Sequence, residues 1–289
     1  MKIGIITLYY GGNFGTYFQA VCLQKQIQKL GHECEIVSAS IRGIQPWKYY
    51  LLLCFNRFVP KQLKRVLSKN LNFYTGYCTL EEDTKQLKKS RVCFSLKKLS
   101  KKYDGIILGS DEIWSTNCSE VRSQLVFWGK GAQCPIVSYG SSGINWKIPT
   151  IHSDLEFKKL FNQMLYLGVR DDTTYKMVKK YIKEDKVRRV VDPTILNPFY
   201  IQKENRLRKN ILVYGPSFPT DIKDQIIDFA KKKNLCLSCM GWYHSWCEEF
   251  IEPDNGVNVQ KVFAESNYIV SSSFHGTIFS IMHKKQFIS

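Results

Sequence analysis

Acidic residues are scarce in this 289-residue chain: 25 Asp and Glu stand against 42 Lys and Arg, a formal charge of +17. A surplus that large favours anionic partners, whether phosphates, acidic glycans, nucleic acid or an anionic membrane face, and carries no information about fold. The N-terminus lacks a basic stretch followed by an apolar core and a cleavage site. Met-Lys-Ile-Gly-Ile-Ile-Thr runs straight into a strand, so no signal peptide is expected and the protein is read as cytoplasmic. No apolar run is long enough for a membrane span. The most apolar stretch, residues 46–60, is short and interrupted by cations. It reads either as a helix packed on the domain surface or as an interfacial helix whose aromatic and basic residues grip the inner face of a membrane.

Familiar catalytic signatures are missing too. No D-x-D, no H-E-x-x-H and no paired C-x-x-C is present, so neither a metal nor a cofactor is expected. The absence of G-x-S-x-G gives no support to a serine hydrolase, and that of a glycine-lysine phosphate loop gives none to a P-loop enzyme. The ten cysteines are scattered rather than framed as a secreted scaffold. Cys236-Leu-Ser-Cys239 sits inside an apolar run and reads as a strand carrying two thiols rather than as a redox or zinc site. The cations and aromatics follow no nucleic-acid-binding module, and no nucleic-acid partner is expected.

What the chain does have is a repeated strand–helix rhythm in two blocks. Residues 2–8, 33–38, 103–109, 135–139, 165–169 and 187–191 pattern as strands, with helical spacing over 17–30 and from 172 to about 182. Residues 211–214, 235–240 and 268–271 pattern as strands of a second series, with helices over 221–233, 259–266 and 277–284. The expected fold is α/β: two Rossmann-like domains facing a cleft, residues 1–198 and 199–289, with a polar linker over 197–210.

In such sheets ligands bind at the C-terminal ends of strands, so the residues delivered there are the candidates. Gly11-Gly-Asn-Phe-Gly15 follows the first strand; it is either a tight turn or a ligand loop that approaches a phosphate or sugar through Asn13 and Gly15. Ser110, Asp111 and Trp114 follow the third strand. A carboxylate for hydroxyls beside an indole for a pyranose face suits a sugar; the alternative is an Asp that caps a helix and a Trp in the core. Arg170 ends an apolar strand and is either salt-bridged or a fork for phosphate or carboxylate. Ser272-Ser-Phe-His-Gly276 stands where the last long strand hands over to a helix. There His275 can meet an anion or move a proton, or else the stretch only caps the helix.

In order, these stretches resemble the polysaccharide pyruvyl transferase family: Asn13-Phe-Gly-Thr-Tyr-Phe-Gln-Ala20, Tyr103-Asp104 through Gly109-Ser-Asp-Glu-Ile-Trp114, Ser138-Tyr139, Gly168-Val-Arg170, Asp192-Pro-Thr194 and Ser272-Ser-Phe-His-Gly-Thr277. The resemblance spans nearly the whole chain and implies a GT-B-like fold. It implies an enzyme that moves an enolpyruvyl unit from phosphoenolpyruvate, as co-substrate, onto two hydroxyls of a cell-surface polysaccharide or its precursor, giving a pyruvate ketal. The acceptor would be a sugar or oligosaccharide, lipid-linked or free. By resemblance Arg170, Ser273, His275 and Gly276 would bind the donor, and His275 would handle the proton or the leaving phosphate. Asp111 would orient or deprotonate an acceptor hydroxyl, with Asn13, Gly15, Ser110 and Trp114 around the acceptor. Three positions depart from the family pattern: Ser273 where some members carry arginine, Glu112 where Gln is usual, and Gln286 where Pro is usual. The family continues past the position of Ser289, so the second domain is expected to be short. Competing readings are a GT-B-like glycosyltransferase using a nucleotide sugar and a catalytically silent family member.

Overall fold

A computed structural model describes residues 1–8, 14–38, 96–115, 125–144, 153–182, 185–196, 208–253 and 255–289. Asn13, the aromatic and basic segment 46–60 and most of the expected linker lie outside the described residues. The chain forms two compact units. The first is built mainly from residues up to Asn197, and the second mainly from Pro198–Ser289, with Phe14 and Gly15 grouping with the second.

The first unit carries a six-stranded sheet: β1 (Lys2–Thr7), β2 (Glu33–Ser38), β3 (Gly105–Leu108), β4 (Ile136–Ser141), β5 (Tyr166–Val169) and β6 (Val187–Arg189), in spatial order β2-β1-β3-β4-β5-β6. Every pairing is parallel. Parallel strands need helical crossovers that cover both sheet faces, which is why β1 and β3 read as continuous apolar runs and are buried almost throughout. Helix α1 (Phe14–Lys29) is one crossover; α2 (Asp154–Asn162) and α3 (Asp172–Lys179) are others. Ser153 caps α2 by accepting from the Glu156 N–H, and Asp171 caps α3 by accepting from the Thr174 N–H. Trp114, Trp128, Phe157, Phe161 and Leu167 lie in the core of this unit, each essentially inaccessible.

The second unit holds β7 (Arg208–Tyr214), β8 (Cys236–Met240), β9 (Glu249–Ile251), β10 (Ser266–Ser271) and β11 (Gln286–Ile288), in order β11-β10-β7-β8-β9 and again all parallel. Its helices are α4 (Thr220–Lys233), α5 (Gly256–Glu265) and α6 (Phe274–Met282). Asn234 ends α4 in the left-handed conformation, at φ 51°.

Several boundaries differ from the sequence reading. Strand β7 begins at Arg208, inside the expected linker, because Arg208 pairs in register with Ser266. Helix α1 begins at Phe14 rather than Tyr17, and α6 at Phe274 rather than Thr277. Gly15 and His275 are therefore first-turn helical residues and not loop residues. Three-residue β9 carries too short a pattern to stand out in the sequence.

Candidate functional site

Strand order fixes where each sheet opens. In the first sheet β1 is flanked by β2 on one side and β3 on the other, so the order reverses between β1 and β3. In the second it reverses between β7 and β10. Crossovers leave such a pair of strands on opposite faces, and the crevice beyond their C-terminal ends is where open α/β sheets take ligands. Asp111 follows β3, at the first reversal. His275 follows β10, at the second.

Asp111 is fixed from several directions. Its φ of 76° lies in the left-handed region, which costs a non-glycine residue about 1 kcal/mol or more. A bridge to Ser141 holds the backbone there, and the Ser142 N–H donates to the Asp111 carbonyl at 2.9 Å. One carboxylate oxygen accepts from the Thr16 hydroxyl at 3.0 Å, the other from Arg170 Nη2 at 3.1 Å. Arg170 in turn gives Nη1 to Asp192 at 2.8 Å. The remaining Asp192 oxygen accepts from the Thr194 N–H and hydroxyl at 3.0 and 2.8 Å, and Ser110 Oγ donates to Asp192 at 3.3 Å. Burial alone would lower the Arg170 pKa; Asp111 and Asp192 outweigh it and hold the guanidinium above its ordinary value.

The geometry bears on two readings that the sequence leaves open. Arg170 is only 5% exposed at its side chain and bridges two carboxylates, so it is the salt-bridged arginine and not an open anion fork. Trp114 offers no face to a sugar: its indole is fully buried, donates Nε1–H to the Phe127 carbonyl at 2.9 Å and packs edge-on against Phe161. Ser110 is also fully buried, with its carbonyl accepting from Thr7 Oγ1 at 2.9 Å. Asp192 is the residue missed. Its place in Asp192-Pro-Thr194 was visible, but nothing in that triplet says that the aspartate lies beside Arg170.

The second corner is set by packing and capping. The Ser273 hydroxyl accepts from the Gly276 N–H at 3.0 Å, and the Ser273 N–H donates to Ser271 Oγ at 3.1 Å. Ser273, expected at the donor, is thus the N-cap of α6. Gly276 is buried against Ser271 and Tyr214 so closely that a Cβ would overlap both. His275 is buried, 5% exposed, with its ring edge-on to Phe274 and tilted against Phe279. Gly15 lies directly over that imidazole, and a Cβ there would overlap Cγ and Nδ1. The glycine expected beside an acceptor therefore has a steric reason to be glycine. Among the described residues no cluster of His, Cys, Asp and Glu could hold a metal ion, and no helix is long and apolar enough to cross a membrane.

Two parallel-sheet units of this kind are the build of GT-B-fold sugar-nucleotide enzymes. The UDP-GlcNAc 2-epimerase of Methanocaldococcus jannaschii superposes with a TM-score of 0.52 at 10% identity, covering 99% of this chain and 83% of that one. MnaA of S. aureus, solved with UDP, gives 0.51 at 14% identity, covering 99% and 78%. At such identities the likeness is one of fold alone. No curated protein matches the chain in sequence. The family model for polysaccharide pyruvyl transferase matches residues 13–289, and the chain belongs to that family.

Proposed function

We propose that this protein transfers the enolpyruvyl unit of phosphoenolpyruvate to two hydroxyls of one sugar, giving a cyclic pyruvate ketal and inorganic phosphate. The observation that carries the reading is the family match over residues 13–289. The placement of Asp111 and His275 at the reversal points of their sheets agrees with it. The chemistry needs a proton on the donor's methylene carbon, which makes the adjoining carbon electrophilic. One hydroxyl adds there, phosphate leaves, and the second hydroxyl closes the ring.

His275 is the proposed group for the donor. In the first turn of α6 it accompanies helix-start N–H groups and the positive end of the helix dipole, a setting that favours a phosphate dianion. Its present burial means that a donor meets the imidazole only when the ring or a neighbour moves. Asp111 is the proposed group for an acceptor hydroxyl, with its carboxylate aimed by Arg170, which Asp192 holds in place. Arg170 acts through Asp111 and is a positioning residue.

The test is incubation with phosphoenolpyruvate and candidate surface glycans, following phosphate release and the glycan's gain of pyruvate less water. His275→Ala should abolish turnover with the circular dichroism spectrum unchanged. A fully active His275→Asn enzyme would remove the proton-transfer role. A product that forms only with a nucleotide sugar would overturn the donor assignment.

A further inference from the structure

The C-x-x-C of the second unit does not act as a pair. Side chains alternate along β8, so Cys236 shares a face with Ser238, Sγ to Oγ 3.8 Å, while Cys239 points to the other face. The sulfur that meets Cys239 comes from beyond the strand. The segment after Met240 turns back tightly: the His244 N–H donates to Cys239 Sγ at 3.4 Å, the Cys247 N–H to the His244 carbonyl at 3.0 Å, and the Glu248 N–H to the Leu237 carbonyl at 2.8 Å. That return lays Cys247 against the core cluster in which Cys239 is buried with Ile226 and Ala230. The two thiols interact directly, each being the largest influence on the other's ionisation.

We propose that Cys239 and Cys247 close a reversible disulfide, a redox modification site whose co-substrate is a small-molecule disulfide. Cys247 is half-buried and Cys239 inaccessible, so the incoming disulfide meets Cys247 first. Cys247, held as the thiol by its interaction with Cys239 and by burial, gives its proton to solvent as its sulfur attacks one sulfur of R–S–S–R and RS⁻ leaves. The Cys239 thiolate then attacks Cys247 Sγ and expels the second RS⁻. The protein gives up two electrons and two protons, and the small disulfide leaves as two thiols. The neighbours suit the second step: the Cys247 S–H and the His244 N–H both donate to Cys239 and favour its thiolate, and Cys239 is the only described cysteine held below the ordinary thiol value. Cys247 is raised by its interaction with Cys239 and by burial, Cys22 and Cys34 are pushed up to about 12 by burial, and Cys134 and Cys236 are also raised by it.

The bond would act on the base of the His275 corner. Between the two cysteines Trp242 packs edge-on against Tyr214, ring centres 5.1 Å apart, and the His244 ring bonds the Gly215 carbonyl at 2.9 Å. Tyr214 ends β7 at the reversal point, followed by Gly215, and the Ser272 N–H donates to the Tyr214 carbonyl there.

The experiment equilibrates the full chain in graded glutathione–glutathione disulfide buffers, quenches in denaturant with an alkylating agent, and maps each cysteine by mass spectrometry. Cys239 and Cys247 should lose labelling together over one range of potential and appear as a cross-linked peptide two hydrogens lighter, while Cys22 and Cys34 stay labelled. In Cys247→Ala, which removes a half-buried thiol, Cys239 should remain labelled throughout. Full labelling of both in the most oxidising buffer overturns the proposal. So does a glutathione adduct that persists on Cys247 while Cys239 stays a thiol, or a cross-link of Cys239 to another cysteine in Cys247→Ala.

Discussion

Replacing Arg170 by methionine removes the one positive charge between two buried carboxylates while keeping the unbranched apolar stem. The side chains of Arg170, Asp111 and Asp192 are 5%, 14% and 1% exposed, so water cannot take over the role of the guanidinium. Breaking one partner out of such a cluster costs about 3–5 kcal/mol, mostly as the penalty of the charges left behind. With a urea dependence of about 2–3 kcal/mol per molar, the first unit's midpoint should fall by about 1–2 M, followed through its buried tryptophans. The pH dependence separates this cause from lost packing. Protonating either aspartate removes the stranded charge, so the deficit of Arg170→Met relative to the parent should shrink as pH falls from 7.5 toward 4. Adding Asp192→Asn should recover part of the loss at pH 7.5. If Arg170→Met instead unfolds within about 0.3 M of the parent and raises only the KM for phosphoenolpyruvate, Arg170 is an anion fork and the positioning role is wrong.

Gly15→Ala should lower turnover with the sheet content unchanged, because its Cβ overlaps the His275 ring and either the ring or the first turn of α1 must give way. The stability cost should be about 1–3 kcal/mol by thermal unfolding, and a parent-like rate would show that His275's present position is irrelevant to catalysis. Ser273→Ala removes the cap of α6 and should cost about 1 kcal/mol while leaving turnover within a few-fold. Lost turnover at unchanged stability would instead put the Ser273 hydroxyl on the donor. His283 should make the protein acid-sensitive. Burial, with Lys285 nearby, pushes its pKa down to about 4 from 6.5, and Nε2 pairs with Gln260 Oε1 at 2.7 Å. The unfolded imidazole protonates near 6.5 and the folded one not until about 4, so the stability it supplies is complete above 6.5 and lost as pH falls toward 4. The window is worth at most about 3 kcal/mol, and on the order of 1 kcal/mol after screening at a partly exposed ring. His283→Gln should flatten urea midpoints between pH 7 and 5; an identical slope in both proteins would refute the assignment.

The fold was legible because parallel strands are buried on both faces. Lys2–Thr7 and Gly105–Leu108 appear in the sequence as unbroken apolar runs, and the cap residues Ser153 and Asp171 follow ordinary helix-start chemistry. The starts of α1 and α6 were misplaced because Phe14-Gly15 and Phe274-His275-Gly276 carry glycine and aromatics, weak helix formers, and packing overrides that preference. The candidate residues were legible as types at strand ends. Their partners were not. Whether an arginine is open or saturated depends on acids 59 and 22 residues away along the chain, and no local pattern encodes such distances.

The two corners reach fixed geometry by different physics. Around Asp111 the constraint is electrostatic: a strained backbone at φ 76° is tolerated because Arg170, Thr16 and the Ser142 N–H each satisfy an atom of that residue. A charge network of that kind leaves a signature in composition, an Arg and two Asp at strand ends, but not in spacing. Around His275 the constraint is steric: Gly15 and Gly276 admit the imidazole and the Tyr214 ring at distances that any side chain would forbid. There the glycines themselves are the signature, which is why both were singled out from sequence although neither needed to touch a ligand. A small residue beside a chemically active one marks the position of that residue's ring or backbone before it marks a binding surface. The bulky aromatic of Gly109-Ser-Asp-Glu-Ile-Trp114 carried the opposite lesson. Trp114 stands at a strand end beside Asp111, yet its size buries it in the core, and the proposed sugar acceptor would have to be recognised by smaller groups.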